Sequence, residues 1–278
     1  MTADLTPGTP GRGSSMNSPR HSRGQGIPCG SGGRGRRCSV WLAIPLVLAV
    51  VAPAFAGYGS RQEASFTLTE QRTGRATAER FVFDYVNPDD PEAKPPAVRR
   101  VVTVLPRGAG YDASVPGSCT ASDAQLMLEG GSACPADSAI GGGVVTVDTG
   151  VPGPGRIVTA DVEFFNNATD AEGEFIYLNT VRGSSARTVI RADVTRRRTI
   201  TDAGMLPGTP PDGGAIDTVD LTVAEVSRRI DGERRNYITT PRRCPKRGHW
   251  NTRVHFTYGD GVTQTVKSAS ECKRKGAR

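Results

Sequence analysis

From residue 64 onward the chain is made of short alternating runs of β-branched and aromatic residues, cut by glycine, proline and aspartate. That rhythm restricts the fold more than any other feature. Period-two runs bounded by turn formers pack as an all-β sandwich or barrel. Residues 64–69 alternate cleanly, and residues 79–86 set Phe81, Phe83 and Tyr85 against Val82, Asp84 and Val86. Residues 98–105 are apolar on both faces apart from their arginines, which predicts a central strand. Further runs at 144–147, 157–165, 174–179, 188–195 and 219–223 follow the same pattern, and the Pro- and Gly-rich stretch 205–214 reads as a loop.

One helix is expected. Ser122 and Gln125 have the spacing of a capping box, Leu126, Met127 and Leu128 follow, and Gly130-Gly131 supplies a stop. Cys119 and Cys134 flank it, so a bridge between them would pin the helix to the sheet and contribute about 3 kcal/mol by loop entropy.

The last hairpin can be read to the residue. Trp250, Val254, Phe256 and Tyr258 share parity, as do Val262 and Val266 beyond the Gly259-Asp260-Gly261 turn. A two-residue loop would separate these apolar faces. A three-residue loop pairs Tyr258 with Val262 and Val254 with Val266, with Gly261 taking the left-handed conformation. Extending the register places Cys272 opposite Gly248, four residues from Cys244, which predicts a second disulfide at the hairpin base.

Residues 34–56 bear on location. Arg34, Arg36 and Arg37 precede an apolar run, 40–52, and Ala54-Phe55-Ala56 follows. This is the pattern of a secretory signal, with the mature protein starting near Gly57. The alternative is an uncleaved membrane anchor, although the run is shorter than the roughly 20 residues a spanning helix needs. Residues 1–56 are thus assigned to a leader and signal peptide, and 57–278 to one secreted β-domain. Two β subdomains split near residue 150 are the alternative. Four of the six cysteines remain, and an even number in an exported chain implies disulfides. No C-x-x-C supports a zinc or redox site.

Charge is uneven. Residues 57–226 carry a net −8 (15 basic, 23 acidic) and residues 227–278 a net +10 (14 basic, 4 acidic). Arg242, Arg243, Lys246, Arg247, Lys273, Arg274 and Lys275 could contact an anionic cell-wall polymer or glycan. The plain alternative is a solvated surface balanced by the acidic half. Nucleic acid is not an expected partner, because no aromatic stacking motif is interleaved with the basic residues. A membrane is expected only through the signal segment if it is retained.

No catalytic constellation emerges. His249 and His255 read as surface residues, and neither G-x-S-x-G nor H-E-x-x-H occurs. Glu163, Glu172 and Glu174 could serve a hydrolase as paired carboxylates. Asp89, Asp90 and Glu92, or Asp170 and Glu172, could offer oxygen ligands to calcium, without the spacing of a calcium loop. Gly141-Gly142-Gly143 and Pro152-Gly153-Pro154-Gly155 read as turn punctuation rather than phosphate cradles, and Asn167-Ala168-Thr169 is a glycosylation sequon.

Two segments carry a resemblance. They are Leu105-Pro106-Arg107-Gly108 leading through Cys119-Thr120 to Cys134-Pro135-Ala136-Asp137-Ser138-Ala139-Ile140-Gly141, and Thr239-Thr240-Pro241-Arg242-Arg243-Cys244-Pro245 with Gly248, Trp250, Tyr258-Gly259-Asp260-Gly261 and Cys272. These segments resemble exported proteins of GC-rich actinobacteria. The resemblance implies a secreted β-domain with the two cysteine pairs, and no activity transfers. The expectation is therefore an all-β, sandwich-like, non-enzymatic envelope or extracellular protein, binding or structural, without cofactor, metal or catalytic residues. The alternative is a secreted hydrolase acting on polysaccharide or peptide.

Overall fold

The computed structural model describes residues 61–85, 87, 89–90, 92–168 and 173–274. Residues 34–56, Val86, Thr169, Asp170, Glu172 and Lys275 lie outside the described residues.

The strands are β1 (Gln62–Leu68), β2 (Glu79–Tyr85), β3 (Val98–Val104), β4 (Gly110–Tyr111), β5 (Ala139–Asp148), β6 (Ile157–Ala168), β7 (Gly173–Val181), β8 (Arg187–Thr195), β9 (Arg198–Asp202), β10 (Ala215–Val223), β11 (Ser227–Ile230), β12 (Glu233–Asn236), β13 (Ile238–Thr239), β14 (His249–Tyr258) and β15 (Thr263–Glu271). The helix α1 is Asp123–Glu129. Eleven strands form one antiparallel sheet in the order β1-β2-β10-β5-β6-β7-β8-β9-β3-β14-β15. The fold is all-β with its short helix in the loop closed by Cys119–Cys134. Its two facing layers are the two halves of this one curled sheet.

The sheet nearly closes on itself, and the seam is made by side chains. Ser268 Oγ accepts from Phe66 N and donates to Phe66 O, both at 2.8 Å, and Ser270 Oγ accepts from Leu68 N at 2.9 Å. Two buried hydroxyls on β15 thus satisfy the edge of β1, a row of backbone groups that would otherwise invite another strand. Beside the seam, the Arg61 guanidinium lies over the Tyr258 ring and pairs with Asp260 at 2.7 Å.

The hairpin takes the expected register. Val254 faces Val266, Gly261 N donates to Tyr258 O, and Gly261 has φ 81°. Cys272 N donates to Gly248 O, and Cys244 is bonded to Cys272. The helix carries its capping box, Ser122 with Gln125. Of its apolar residues Leu126 is buried, against Cys119, Phe165, Ile176 and Leu178 on the outside of the sheet. This satellite cluster explains why β6 and β7 are apolar on both faces. One face looks into the barrel and the other lies under the disulfide loop.

Gly141-Gly142-Gly143 differs from its reading as turn punctuation, for it lies inside β5. A Cβ on Gly141 or Gly143 would come within 2.0 Å of the carbonyl oxygens of Thr222 or Asp220. The glycines let β5 approach its neighbour closely where the sheet curls.

The inner core is unevenly filled. Around the seam, aromatic rings interlock: Phe83 meets Phe256 edge-on at 5.7 Å, and Tyr85 packs on Tyr258 at 5.7 Å. The opposite wall, β5 to β9, turns mostly valine, alanine and threonine inward around the Phe164, Phe175 and Tyr177 rings, and it borders a hollow.

Candidate functional site

A cavity of about 450 Å³ lies within the sheet, inside the usual range for small-molecule sites. Its wall is mainly apolar, with Phe66, Phe83, Val145, Val162, Phe164 and Val219 among its residues. A strip of weak polar groups runs along one side, from Thr103, Thr199 and Thr201 to Asn179 and Thr188.

The strand registers define two ends. Tyr85, Asp148, Ile157, Val181, Arg187 and Asp202 lie at one end, and Leu68, Glu79, Val223, Thr195, Arg198 and Glu271 at the other. Cavity-lining residues that are also exposed, Ala186 and Pro207, belong to the first end, so the mouth is there. Loop 205–214 crosses it. Lys94 Nζ donates to Thr209 O and Gly213 O, and Arg99 donates to Gly204 O and Asp212. Leu206 and Pro207 of this loop line the cavity.

The second end is blind. Residues 105–115 and 237–240 fold under the sheet there, and β4 pairs with β13. The buried residues Leu105, Tyr111, Val115, Tyr237 and Ile238 fill the space. Glu79 stands among them and lines the cavity. Tyr111 donates its hydroxyl to Glu79 Oε2 at 2.7 Å. Burial pushes the Glu79 carboxyl up to about 7, against the opposing donation from Tyr111. Burial, followed by the nearby Glu79 carboxylate, raises the Tyr111 phenol well above its usual value. Tyr177 is pushed up to about 12, chiefly by burial. A protonated Glu79 offers a hydrogen-bond donor to the lumen and an ionised one a charge, so the blind end can meet a polar group on an otherwise apolar molecule.

Glu79 escapes the sequence reading, yet it left a signal. It shares parity with Phe81, Phe83 and Tyr85, the face that points inward, and a carboxylate on the apolar face of a strand has to be paired or functional.

The residues singled out from the sequence fall elsewhere. Glu163 and Glu174 are on the outer face of β6 and β7, and Glu174 is bound by Arg191 at 2.9 Å and Asn167 at 2.8 Å. Asp89, Asp90 and Glu92 are exposed, and among the described residues no group of three metal-ligating side chains forms. His255 points outward and bonds Thr265 through Nδ1 at 2.8 Å. The sheet brings Arg242, Arg243, Lys246, Arg247, Lys273 and Arg274 to the blind end around Cys244–Cys272, all exposed and none in an ion pair among the described residues.

Fold and site together define a nearly closed antiparallel barrel with an apolar lumen, a carboxyl at its blind end and a basic surface beneath it. No protein-family model, curated protein or solved structure matches the chain.

Proposed function

We propose that this is an exported, non-enzymatic envelope or extracellular protein that binds an elongated apolar molecule, such as an acyl chain, in its lumen. The observation that carries the reading is the 450 Å³ cavity, walled by apolar side chains and open at one end. Export is supported by the signal pattern at 34–56, by the resemblance to exported actinobacterial proteins, and by two disulfides suited to an oxidising compartment. The outward position of Glu163 and Glu174 favours a binding role over the hydrolase alternative.

A second reading concerns the basic residues. Their convergence around Cys244–Cys272 supports contact with an anionic wall polymer at the blind end, away from the mouth. Lys275 adjoins this group in sequence.

Native mass spectrometry of the oxidised protein with saturated fatty acids of increasing length tests the lumen. One ligand per chain is expected. Affinity should rise by about 0.8 kcal/mol per methylene, roughly fourfold, until the lumen is full. Affinity that does not change with chain length would overturn the reading.

A further inference from the structure

The large apolar side chains exposed among the described residues are Leu128 (79%), Met205 (70%), Ile157 (48%), Met127 (47%) and Val151 (44%). Single exposed hydrophobics are ordinary on any surface. These five share a location. Val151 is in the turn between β5 and β6, Ile157 begins β6, and Met205 follows β9, all at the mouth. Met127 and Leu128 are tied there from outside, since Arg187, the mouth-end residue of β8, donates to both their carbonyls at 3.1 and 3.2 Å. The blind end contributes none of the five.

The cations of the mouth are engaged within the protein. Arg99 pairs with Asp212, Arg100 with Asp202, Arg156 with Asp148 and Arg182 with Asp161. Lys94 and Arg187 are held by backbone carbonyls. An apolar rim whose arginines are paired from within, beside the exposed carboxylates of Glu63, Asp84, Asp89 and Asp90, suits an uncharged or zwitterionic surface better than an anionic one. The basic blind end suits an anionic one.

We propose that the mouth of the barrel docks on a zwitterionic lipid bilayer, with Val151, Ile157, Met205, Met127 and Leu128 entering the interfacial layer. The lumen then opens directly onto the surface from which an acyl chain would be taken or to which it would be delivered. The purpose of docking rests on the lumen reading above, but the rim itself does not. The contact adds to the one foreseen through the signal segment alone. It belongs to the class of shallow, reversible interfacial insertions driven by a few apolar side chains.

Indole quenching by phosphatidylcholine vesicles with brominated acyl chains tests it. The full chain carries Trp41→Phe, so that Trp250 at the blind end is its remaining tryptophan. Adding Val151→Trp places an indole at the mouth. The expected result is quenching and a blue shift for the indole introduced by Val151→Trp, with Trp250 in the parent unaffected. Adding Ile157→Asp and Met205→Asp should weaken vesicle partitioning at least tenfold while fatty-acid binding measured without vesicles is unchanged. An unquenched mouth indole would overturn the proposal. So would binding confined to anionic vesicles and abolished by salt, which would assign the contact to the basic end. Fatty-acid binding without docking defeats this proposal alone, and docking without fatty-acid binding defeats the lumen reading alone.

Discussion

The two ends of the barrel are built from one sheet and solve opposite problems. At the blind end the chain is fastened. β4 pairs with β13, Trp250 donates its indole N–H to Arg243 O at 2.9 Å, and Cys244–Cys272 closes the hairpin base. At the mouth the β5–β9 wall turns short side chains inward, Val147, Val158 and Val181, opposite the Tyr85–Tyr258 pair, the crossing loop is held by Lys94 and Arg99, and apolar groups face outward. The difference teaches that a packed core and a hollow can be drawn from separate regions of one sheet. The sealed, aromatic part of the core can hold the fold while the valine-lined part stays hollow. The exposed basic surface collects at the end away from the mouth.

The contrast is most open to attack at Trp250, which is 2% exposed. Trp250→Ala should lose about 3–5 kcal/mol, read as a drop in the urea midpoint. A smaller loss would mean that the blind end is not the anchor. Removing the hairpin bridge with Cys244→Ser and Cys272→Ser opens a loop of sequence separation 28. It should cost about 3–4 kcal/mol by loop entropy, measured as the fall in stability against the oxidised protein.

Glu79 sharpens the comparison through pH. The native protein holds this carboxyl up at about 7, while its ordinary value is 4.5. Below about 4.5 both states are protonated and the full contribution is present. Between 4.5 and 7 the unfolded chain has lost a proton that the folded chain keeps, so stability falls as pH rises, then levels above 7. The total is about 3 kcal/mol. Glu79→Gln should flatten the profile between pH 5 and 8 in chemical denaturation, and an unchanged slope would assign the dependence to other groups. The smallest effect is expected at the exposed cations. Arg242→Ala with Arg243→Ala should change stability by less than about 0.5 kcal/mol, yet weaken salt-sensitive retention on an anionic polymer column.

Much of this architecture is legible in the residues because the strand period reports faces directly. The Gly259-Asp260-Gly261 turn, the parity of Trp250 to Tyr258 and the Ser122–Gln125 cap are local features, and local geometry decides them. Closure is harder to read, since the meeting of β1 with β15 depends on Ser268 and Ser270, small polar residues that share a face with Val266 and Gln264. The hollow is harder still. Val145, Val147 and Val158 look like any core valines, and only their distance across the curled sheet separates lumen from packed core. Glu79 was visible as a charge of the wrong parity, but its meaning depends on Tyr111, 32 positions away.

The most direct measurement is the titration of an environment-sensitive fluorescent fatty acid into the wild-type protein and into Val145→Trp, which fills the lumen at mid-depth. The account predicts saturable one-to-one binding to the wild type and at least tenfold weaker binding to the variant. The variant's stability should stay within about 1 kcal/mol, because the larger side chain enters open space instead of a packed core. Equal probe affinity in the two proteins, with the variant folded, would contradict it.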